Sequence, residues 1–170
     1  LRRYLSNHAY GNATWNDLIE IIAPRVPGDL RAWSDVWVSE PGRPVVELAR
    51  VRDEDGRRRF DLRQSDSWVR GRVWPQRLSL MRMGRNIDGE LSSRAIAQLS
   101  LDGPVAERVP WAGSTLPPWI LPTGAGIEYG LFVLDDLSLL NLMADLPEVP
   151  RALDRGTAWL VIEDALLDNR

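Results

Sequence analysis

The middle of this chain is divided into short segments by turn signals that recur about every ten residues. The clearest are Asp53-Glu54-Asp55-Gly56, Asn86-Ile87-Asp88-Gly89 and Asp102-Gly103-Pro104. Asp, Asn, Gly and Pro favour tight turns because they tolerate or preset the backbone angles that turns need. Short segments between such turns, rich in β-branched and apolar residues, indicate strands. The pattern predicts mainly β structure, arranged as an antiparallel β-sandwich of the immunoglobulin-like kind.

The predicted strands all lie within residues 44–134. They occupy residues 45–51, the hairpin arm around Phe60 and Leu62, and residues 73–83, 95–101, 105–109, 119–121 and 127–134. A Pro-rich loop is expected at residues 111–118, where a regular strand could not keep its hydrogen bonds.

Helical periodicity marks the N-terminal flank of this β region. Apolar residues repeat at i, i+3, i+4 and i+7 along Leu1, Tyr4, Leu5 and His8, and Thr14 and Asp29 are suitable N-caps for two further helices. Two prolines within residues 41–44 end the helical part.

Two helices are expected after the β region. Asp135 can cap the first, and the second begins near Arg151. Their apolar faces are expected to be Leu139, Leu142, Met143 and Leu146 in the first helix, and Leu153, Leu160 and Leu167 in the second. The chain therefore reads as a β module between flanking helices, divided as 1–43, 44–134 and 135–170.

Composition excludes several kinds of site. The chain has 170 residues, no Cys and one His, so it can form neither a disulfide scaffold nor a complete His-Glu-x-x-His metal site. No run of 18 apolar residues is present, so no membrane span is predicted. The first residues lack the apolar stretch of a signal peptide and resemble the middle of a helix. We therefore expect the chain to be a piece of something larger.

His8, the only imidazole, could act as a general base if Ser6 or Ser39 lay beside it. Its position on the apolar stripe of the first helix favours a packing role instead.

Three acidic groups are candidates for catalytic or metal-binding sites: Asp53-Glu54-Asp55, Asp135-Asp136 and Glu163-Asp164. Adjacent side chains point in different directions, so adjacency alone does not make an acid pair. We interpret the groups as a turn, a helix N-terminus and a solvated or paired helix surface. No catalytic, cofactor-binding or metal-binding residue is assigned.

Residues 124–130, Gly-Ala-Gly-Ile-Glu-Tyr-Gly, resemble a Gly-rich phosphate loop. The third Gly comes one position late and a strand rather than a helix is predicted to follow, so the dinucleotide fingerprint is not met. We interpret the segment as a loop that enters a strand.

Arginine and tryptophan are unevenly placed. The only basic cluster is Arg57-Arg58-Arg59, which we interpret as a solvated hairpin or an inter-domain face, and nucleic-acid binding is not expected at a net charge of −3.

Trp15, Trp33 and Trp37 are assigned to the core. Candidates for contact with a ligand or with other domains are Trp68, Trp74, Trp111 and Trp119.

Four segments resemble parts of the aminopeptidase N family of zinc metallopeptidases, in family order. The first two are residues 4–14 followed by Asp17-Leu18, and residues 33–45, which contain the family's Trp and Pro-Gly-x-Pro pattern. Residues 119–126 resemble its Leu-Pro-Asn-x-x-Gly loop, with Thr123 in place of the usual Asn. Asp154-Arg155-Gly156 is similar to an Asp-Arg-Ala helix start.

The resemblance implies both an architecture and an activity. Residues 1–43 would be the last helices of a thermolysin-like catalytic domain, residues 44–134 a β-sandwich, and residues 135–170 the start of a helical C-terminal domain. The parent would be a zinc aminopeptidase, and this segment would brace its catalytic and helical domains. The family's zinc ligands, exopeptidase motif and oxyanion Tyr precede the segment that begins at Leu1, so none maps onto this chain, which would bind no zinc.

The resemblance also implies partners, namely the remaining domains of the parent and, through it, peptide substrates. Self-association through exposed terminal helices is a further option.

The alternative interpretation is a self-standing β-sandwich that binds protein or glycan through its Trp residues. A continuous Trp-lined groove would favour this module, whereas exposed apolar faces on the terminal helices would favour the fragment. A cytoplasmic parent and a periplasmic or secreted parent are both compatible with the sequence.

Overall fold

A computed structural model describes residues 1–103, 107–111 and 115–168. The chain consists of two compact units, Leu1–Pro41 and Gly42–Arg170. Parts of the predicted turn at 102–104, strand at 105–109 and loop at 111–118 lie outside the described residues, as do the last two residues of the chain.

The Leu1–Pro41 unit is helical, as the periodicity predicts. It contains α1 (Arg2–Asn7), α2 (Trp15–Ile22), a 3-10 turn (Ala23–Arg25), α3 (Leu30–Ser34) and a π-helical turn (Asp35–Ser39). The predicted N-caps are confirmed: the Thr14 hydroxyl accepts the Asp17 amide at 3.2 Å, and the Asp29 carboxylate accepts the amides of Arg31 and Ala32 at 3.0 Å.

The apolar stripe of α1 does not form a core. No residue of α1 is buried, and Leu1 and Leu5 are exposed. Trp15 and Trp33, which the helical pattern places in the core, are each about two-fifths exposed, and Trp37 is half-buried against Trp33. The core assignment is therefore wrong for Trp15 and Trp33, because a short amphipathic helix has too few neighbours here to cover its apolar face.

The Gly42–Arg170 unit contains seven described strands and two α-helices. The strands are β1 (Pro44–Arg52), β2 (Arg58–Asp66), β3 (Gln76–Arg85), β4 (Leu91–Leu101), β5 (Glu107–Arg108), β6 (Trp119–Leu121) and β7 (Leu131–Leu134), and the helices are α4 (Asp136–Asp145) and α5 (Ala152–Leu167). The turns at 53–56 and 86–89 join β1 to β2 and β3 to β4. In both, Gly at the last position adopts a positive φ, which explains why Gly stands there.

The strands form two small sheets of order β5-β2-β1-β7 and β4-β3-β6. The pairs are antiparallel except for β1 and β7, where Val45 lies opposite Leu131 in a parallel pair. Together with the helices this makes a mixed fold with about 29% strand. The expectation of a mainly β, wholly antiparallel structure is therefore too narrow.

Side chains from both sheets and both C-terminal helices are buried in one cluster. Alternate residues of β1 and β2 point into it, as expected for strands with one buried face. Its members include Val46, Leu48, Phe60 and Leu62 from one sheet, Leu78, Leu80, Met83, Leu101 and Trp119 from the other, and Leu142, Val161 and Ile162 from the helices.

The connection between the two sheets is fixed by polar groups at the end of β2. The buried Gln64 amide donates to the Leu101 carbonyl and accepts the Trp74 amide, both at 3.0 Å. The Asp66 carboxylate accepts the Trp68 amide at 3.0 Å and Arg72 Nε at 3.1 Å. Because the side-chain oxygens of Gln64 and Asp66 accept hydrogen bonds, the loop after β2 can turn without leaving them buried and unpaired.

We expect acid to destabilise this connection. The Arg72 guanidinium, followed by the backbone amides of Trp68 and Arg72, holds the pKa of the Asp66 carboxyl well below its ordinary value of 3.8. A folded-state pKa below the unfolded-state pKa gives stability that is complete above the unfolded value and is lost as the pH falls below it. The thermal midpoint should therefore fall as the pH drops below about 4.

The measurement is the thermal midpoint of wild type and Asp66→Asn between about pH 6 and about pH 3. Asp66→Asn should be less stable at the upper pH and should lose less on acidification. The exposed turn variant Asp55→Asn is the control and should follow wild type. An acid-induced loss in Asp66→Asn as large as that in wild type would contradict the assignment.

Candidate functional site

His8 is half-buried at the end of α1, with its ring 5.2 Å from that of Tyr4. Within residues 1–103, neither Ser6 nor Ser39 forms a hydrogen bond with it. His8 therefore packs against Tyr4, and neither serine is placed as a nucleophile that it could activate as a general base.

The acidic groups have structural partners. Asp53 accepts the Arg57 amide at 2.8 Å within the hairpin turn, Asp135 caps α4, and Asp164 pairs with Arg43. Among residues 1–103, 107–111 and 115–168, no three His, Asp or Glu side chains are grouped so that they could hold a metal ion. The described residues therefore do not fit a zinc site.

In the Gly-rich segment, the backbone amides are already bonded to a carboxylate of the same segment, that of Glu128. The Glu128 carboxylate accepts the amides of Ser79 at 2.9 Å, Ala125 at 3.2 Å and Ile127 at 3.1 Å. These are the kinds of donors with which a phosphate loop would bind its ligand. Because Glu128 ties this segment into a loop, β7 begins only at Leu131, later than the predicted start at residue 127.

Two of the four tryptophans proposed as interface residues are buried. Trp74 and Trp119, two of the four proposed interface residues, are 1% and 0% exposed. Trp68 is exposed beneath the Arg70 guanidinium, and Trp111 is half-buried. The interface interpretation is thus wrong for Trp74 and Trp119, which belong to the core.

A cluster of polar contacts joins the strands of the Gly42–Arg170 unit to α4. Arg50 on β1 donates to the Asp135 carboxylate at 3.1 Å, to the Ser138 hydroxyl at 3.2 Å and to the Pro118 carbonyl. Asp135 also accepts the Ser138 amide at 3.1 Å, and its own amide donates to the Leu48 carbonyl at 3.1 Å. The predicted cap at Asp135 is confirmed, and it fixes the start of α4 to β1.

The other end of α4 is fixed to β3 and β6. The buried Trp119 indole donates to Asp145 at 2.9 Å, and Arg85 donates to Asp145 at 2.9 Å and to Glu148 at 2.5 Å. The Arg85 guanidinium lowers the pKa of the Glu148 carboxyl below its ordinary value. With contacts at both ends, α4 cannot slide along the sheet without breaking charged hydrogen bonds.

Helix α5 is attached to the start of β1. The Arg43 guanidinium bonds both oxygens of Asp164, at 3.0 and 3.2 Å. We call the contacts of Arg50, Trp119, Arg85 and Arg43 with these two helices and the turn that follows α4 the sheet–helix junction.

A second feature of the same helices is a surface of exposed apolar side chains. It comprises Leu137, Leu140 and Met143 on α4, and Leu153, Trp159, Leu160, Leu166 and Leu167 on α5. Trp159 is 58% exposed and Leu167 is 74% exposed. We call these residues the α4–α5 apolar surface. Apolar residues on both faces of a helix are typical of a helix covered on both sides.

The predicted buried faces of α4 and α5 differ from those in the structure. The buried side of α5 consists of Asp154, Thr157, Ala158, Val161 and Ile162, whereas the predicted face of Leu153, Leu160 and Leu167 is exposed. On α4 the predicted Leu142 is buried, but Met143 is about half exposed.

Comparison with known proteins finds a similarity to an aminopeptidase. No family model matches the chain. The chain is 26% identical over 181 aligned residues to a protein named aminopeptidase N from Streptomyces lividans. The alignment covers 100% of this chain and 21% of that protein, so the chain spans about a fifth of the relative's length. No helix in the described residues is both long and apolar enough to cross a bilayer.

Proposed function

We propose that this chain is a non-catalytic segment of a zinc aminopeptidase, an enzyme that removes N-terminal residues from peptides. The observation that carries the proposal is the similarity over the whole chain to Streptomyces lividans aminopeptidase N. The four family-like segments, which include residues 4–14 and 33–45, support the same assignment. Zinc and the catalytic groups would belong to the parent, since the described residues offer no metal site.

The proposed domain arrangement keeps the divisions 1–43, 44–134 and 135–170. The two sheets would form the β-sandwich, and their shared buried cluster supports that arrangement. Residues 135–170 would begin a helical domain whose further helices cover the α4–α5 apolar surface. Burying exposed apolar side chains of this number would stabilise such an association substantially.

The proposed role of the segment is to brace. The sheet–helix junction supports it, because charged hydrogen bonds hold both ends of α4 and the last turns of α5 against strands. A rigid link of this kind would fix where the helical domain stands relative to the rest of the parent.

The test begins with the reading frame that contains this chain. We expect it to continue upstream of Leu1 into a His-Glu-x-x-His segment. The longer protein should release p-nitroaniline from aminoacyl-p-nitroanilides and lose this activity on chelation, whereas residues 1–170 alone should show neither activity nor stoichiometric zinc. Hydrolysis by residues 1–170, or a longer protein without the motif, would refute the proposal.

A further inference from the structure

A groove lined by arginine lies at the β5 edge of the four-stranded sheet. It has a volume of about 720 Å³ and is bounded by the β1–β2 turn, strand β5 and residues 115–116. Its charged lining consists of Arg50, Arg57, Arg58, Arg59, Arg108 and a single acid, Asp53. We call it the arginine groove.

Two of these arginines are fixed and compensated by carboxylates. Arg59 donates to both oxygens of Asp61, at 2.8 and 2.9 Å. Arg50 bonds Asp135 and lies 4.5 Å from the centre of the Phe60 ring. Because their guanidinium groups are already engaged, they form a rigid wall of the groove.

The other three arginines have no ion-pair partner among the described residues. Arg57, Arg58 and Arg108 are exposed, and in the part of the chain that the structure describes none has a carboxylate within ion-pair distance. Arg108 lies opposite Asp61 in the β2–β5 pair and is therefore a diagonal neighbour of Arg59. The fold thus brings these three arginines to one groove at a sheet edge of a chain whose net charge is −3.

The groove also has an aromatic wall. The Trp111 indole N–H donates to the Thr115 carbonyl at 3.0 Å, and the Arg82 guanidinium lies 5.5 Å from the ring centre. Both contacts hold the ring in place beside the arginines.

We propose that the arginine groove binds a polyphosphate group, either as inorganic polyphosphate or as part of a nucleotide. Three arginines without an ion-pair partner around one groove favour a ligand with several negative charges close together. A phosphate chain supplies them on adjacent atoms, whereas a peptide supplies one carboxylate per acidic residue. Guanidinium donors match the paired oxygens of phosphate. The inference does not depend on the proposed aminopeptidase function.

The test is calorimetric titration of the 170-residue chain with sodium tripolyphosphate. We expect saturable binding that weakens as salt is added. The triple variant R57Q/R58Q/R108Q should bind at least about tenfold more weakly. The control R31Q/R77Q/R94Q removes the same charge from three exposed arginines outside the groove and should bind within about twofold of wild type.

A charge-preserving variant separates geometry from charge. R57K/R58K/R108K should bind more weakly than wild type but more tightly than the Gln variant, because Lys lacks the paired donors of Arg. Tighter binding of ATP than of tripolyphosphate, with the difference abolished by Trp111→Leu, would assign the site to a nucleotide. Equal affinities would assign it to the phosphate chain.

Three results would overturn the proposal. They are absence of saturable tripolyphosphate binding, an equal loss of binding in the control variant, and tighter binding of hexaglutamate than of tripolyphosphate. The last result would reassign the groove to acidic peptides.

Discussion

Trp119→Ala is expected to lower the free energy of unfolding by about 3–5 kcal/mol. The side chain is fully buried where β6 pairs with β3, so its removal leaves a large cavity between strand and helix. The change also removes the indole N–H that donates to Asp145, so the Asp145 carboxylate keeps its bond to Arg85 but loses a neutral donor. A loss of this size is a large part of the roughly 5–15 kcal/mol that stabilises a typical domain.

Chemical denaturation followed by far-ultraviolet circular dichroism measures this effect without relying on tryptophan fluorescence. Trp68→Ala is the matched control, since Trp68 is 56% exposed, and it should cost no more than about 1 kcal/mol. Trp119→Phe keeps a ring and loses the N–H, so we expect an intermediate loss of about 1–3 kcal/mol. Equal costs for Trp119→Ala and Trp68→Ala would contradict the placement of Trp119 in the core.

Asp135→Ala should produce the second large effect, a loss of about 2–3 kcal/mol. The substitution removes the N-cap of α4, and it leaves the Arg50 guanidinium, largely covered by protein, without its carboxylate. Because Asp135 serves both the helix and the strand, the two losses should occur together.

The neighbouring Asp136→Ala is the control for this second effect. Asp136 is exposed in the first turn of α4, where its charge is favourable to the helix dipole, so its removal should cost at most about 1 kcal/mol. Asp135→Asn keeps a capping oxygen but not the ion pair, and it should fall between the two. If Asp136→Ala destabilised the chain as much as Asp135→Ala, the sheet–helix junction would not be the cause.

Local signals predicted local structure well. The caps at Thr14, Asp29 and Asp135 and the turns at 53–56 and 86–89 are all confirmed. Each depends on a side chain within about four residues of the backbone group that it serves, so the necessary information lies within one short segment.

The sequence predicts less well which helix faces are buried and which strands pair. Leu153, Leu160 and Leu167 form a genuine stripe on α5, but a helix with apolar residues on two sides does not show from its own sequence which side meets the strands. The parallel pairing of β1 with β7 joins residues far apart in the chain, such as Val45 and Leu131. No turn signal could indicate it, because a parallel pair needs a long connection.

The candidate sites show the same difference between local signals and contacts of distant segments. The spacing of residues 124–130 does not meet the phosphate-loop pattern, and in the structure the Glu128 carboxylate already accepts the amides of Ala125 and Ile127. The cluster Arg57-Arg58-Arg59 was visible in the sequence. Arg108 was not associated with it, because only the β2–β5 pairing brings that strand alongside.

By itself the sequence determined where helices, turns and most strands lie, what chemistry the chain lacks, and which family it resembles. These follow from residue types and short spacings, which act within a few residues of the backbone. Only the tertiary structure decided which helix faces are buried, that Trp74 and Trp119 belong to the core, and which arginines share a groove. Those outcomes depend on contacts between distant segments, whose burial and charge balance are set by packing.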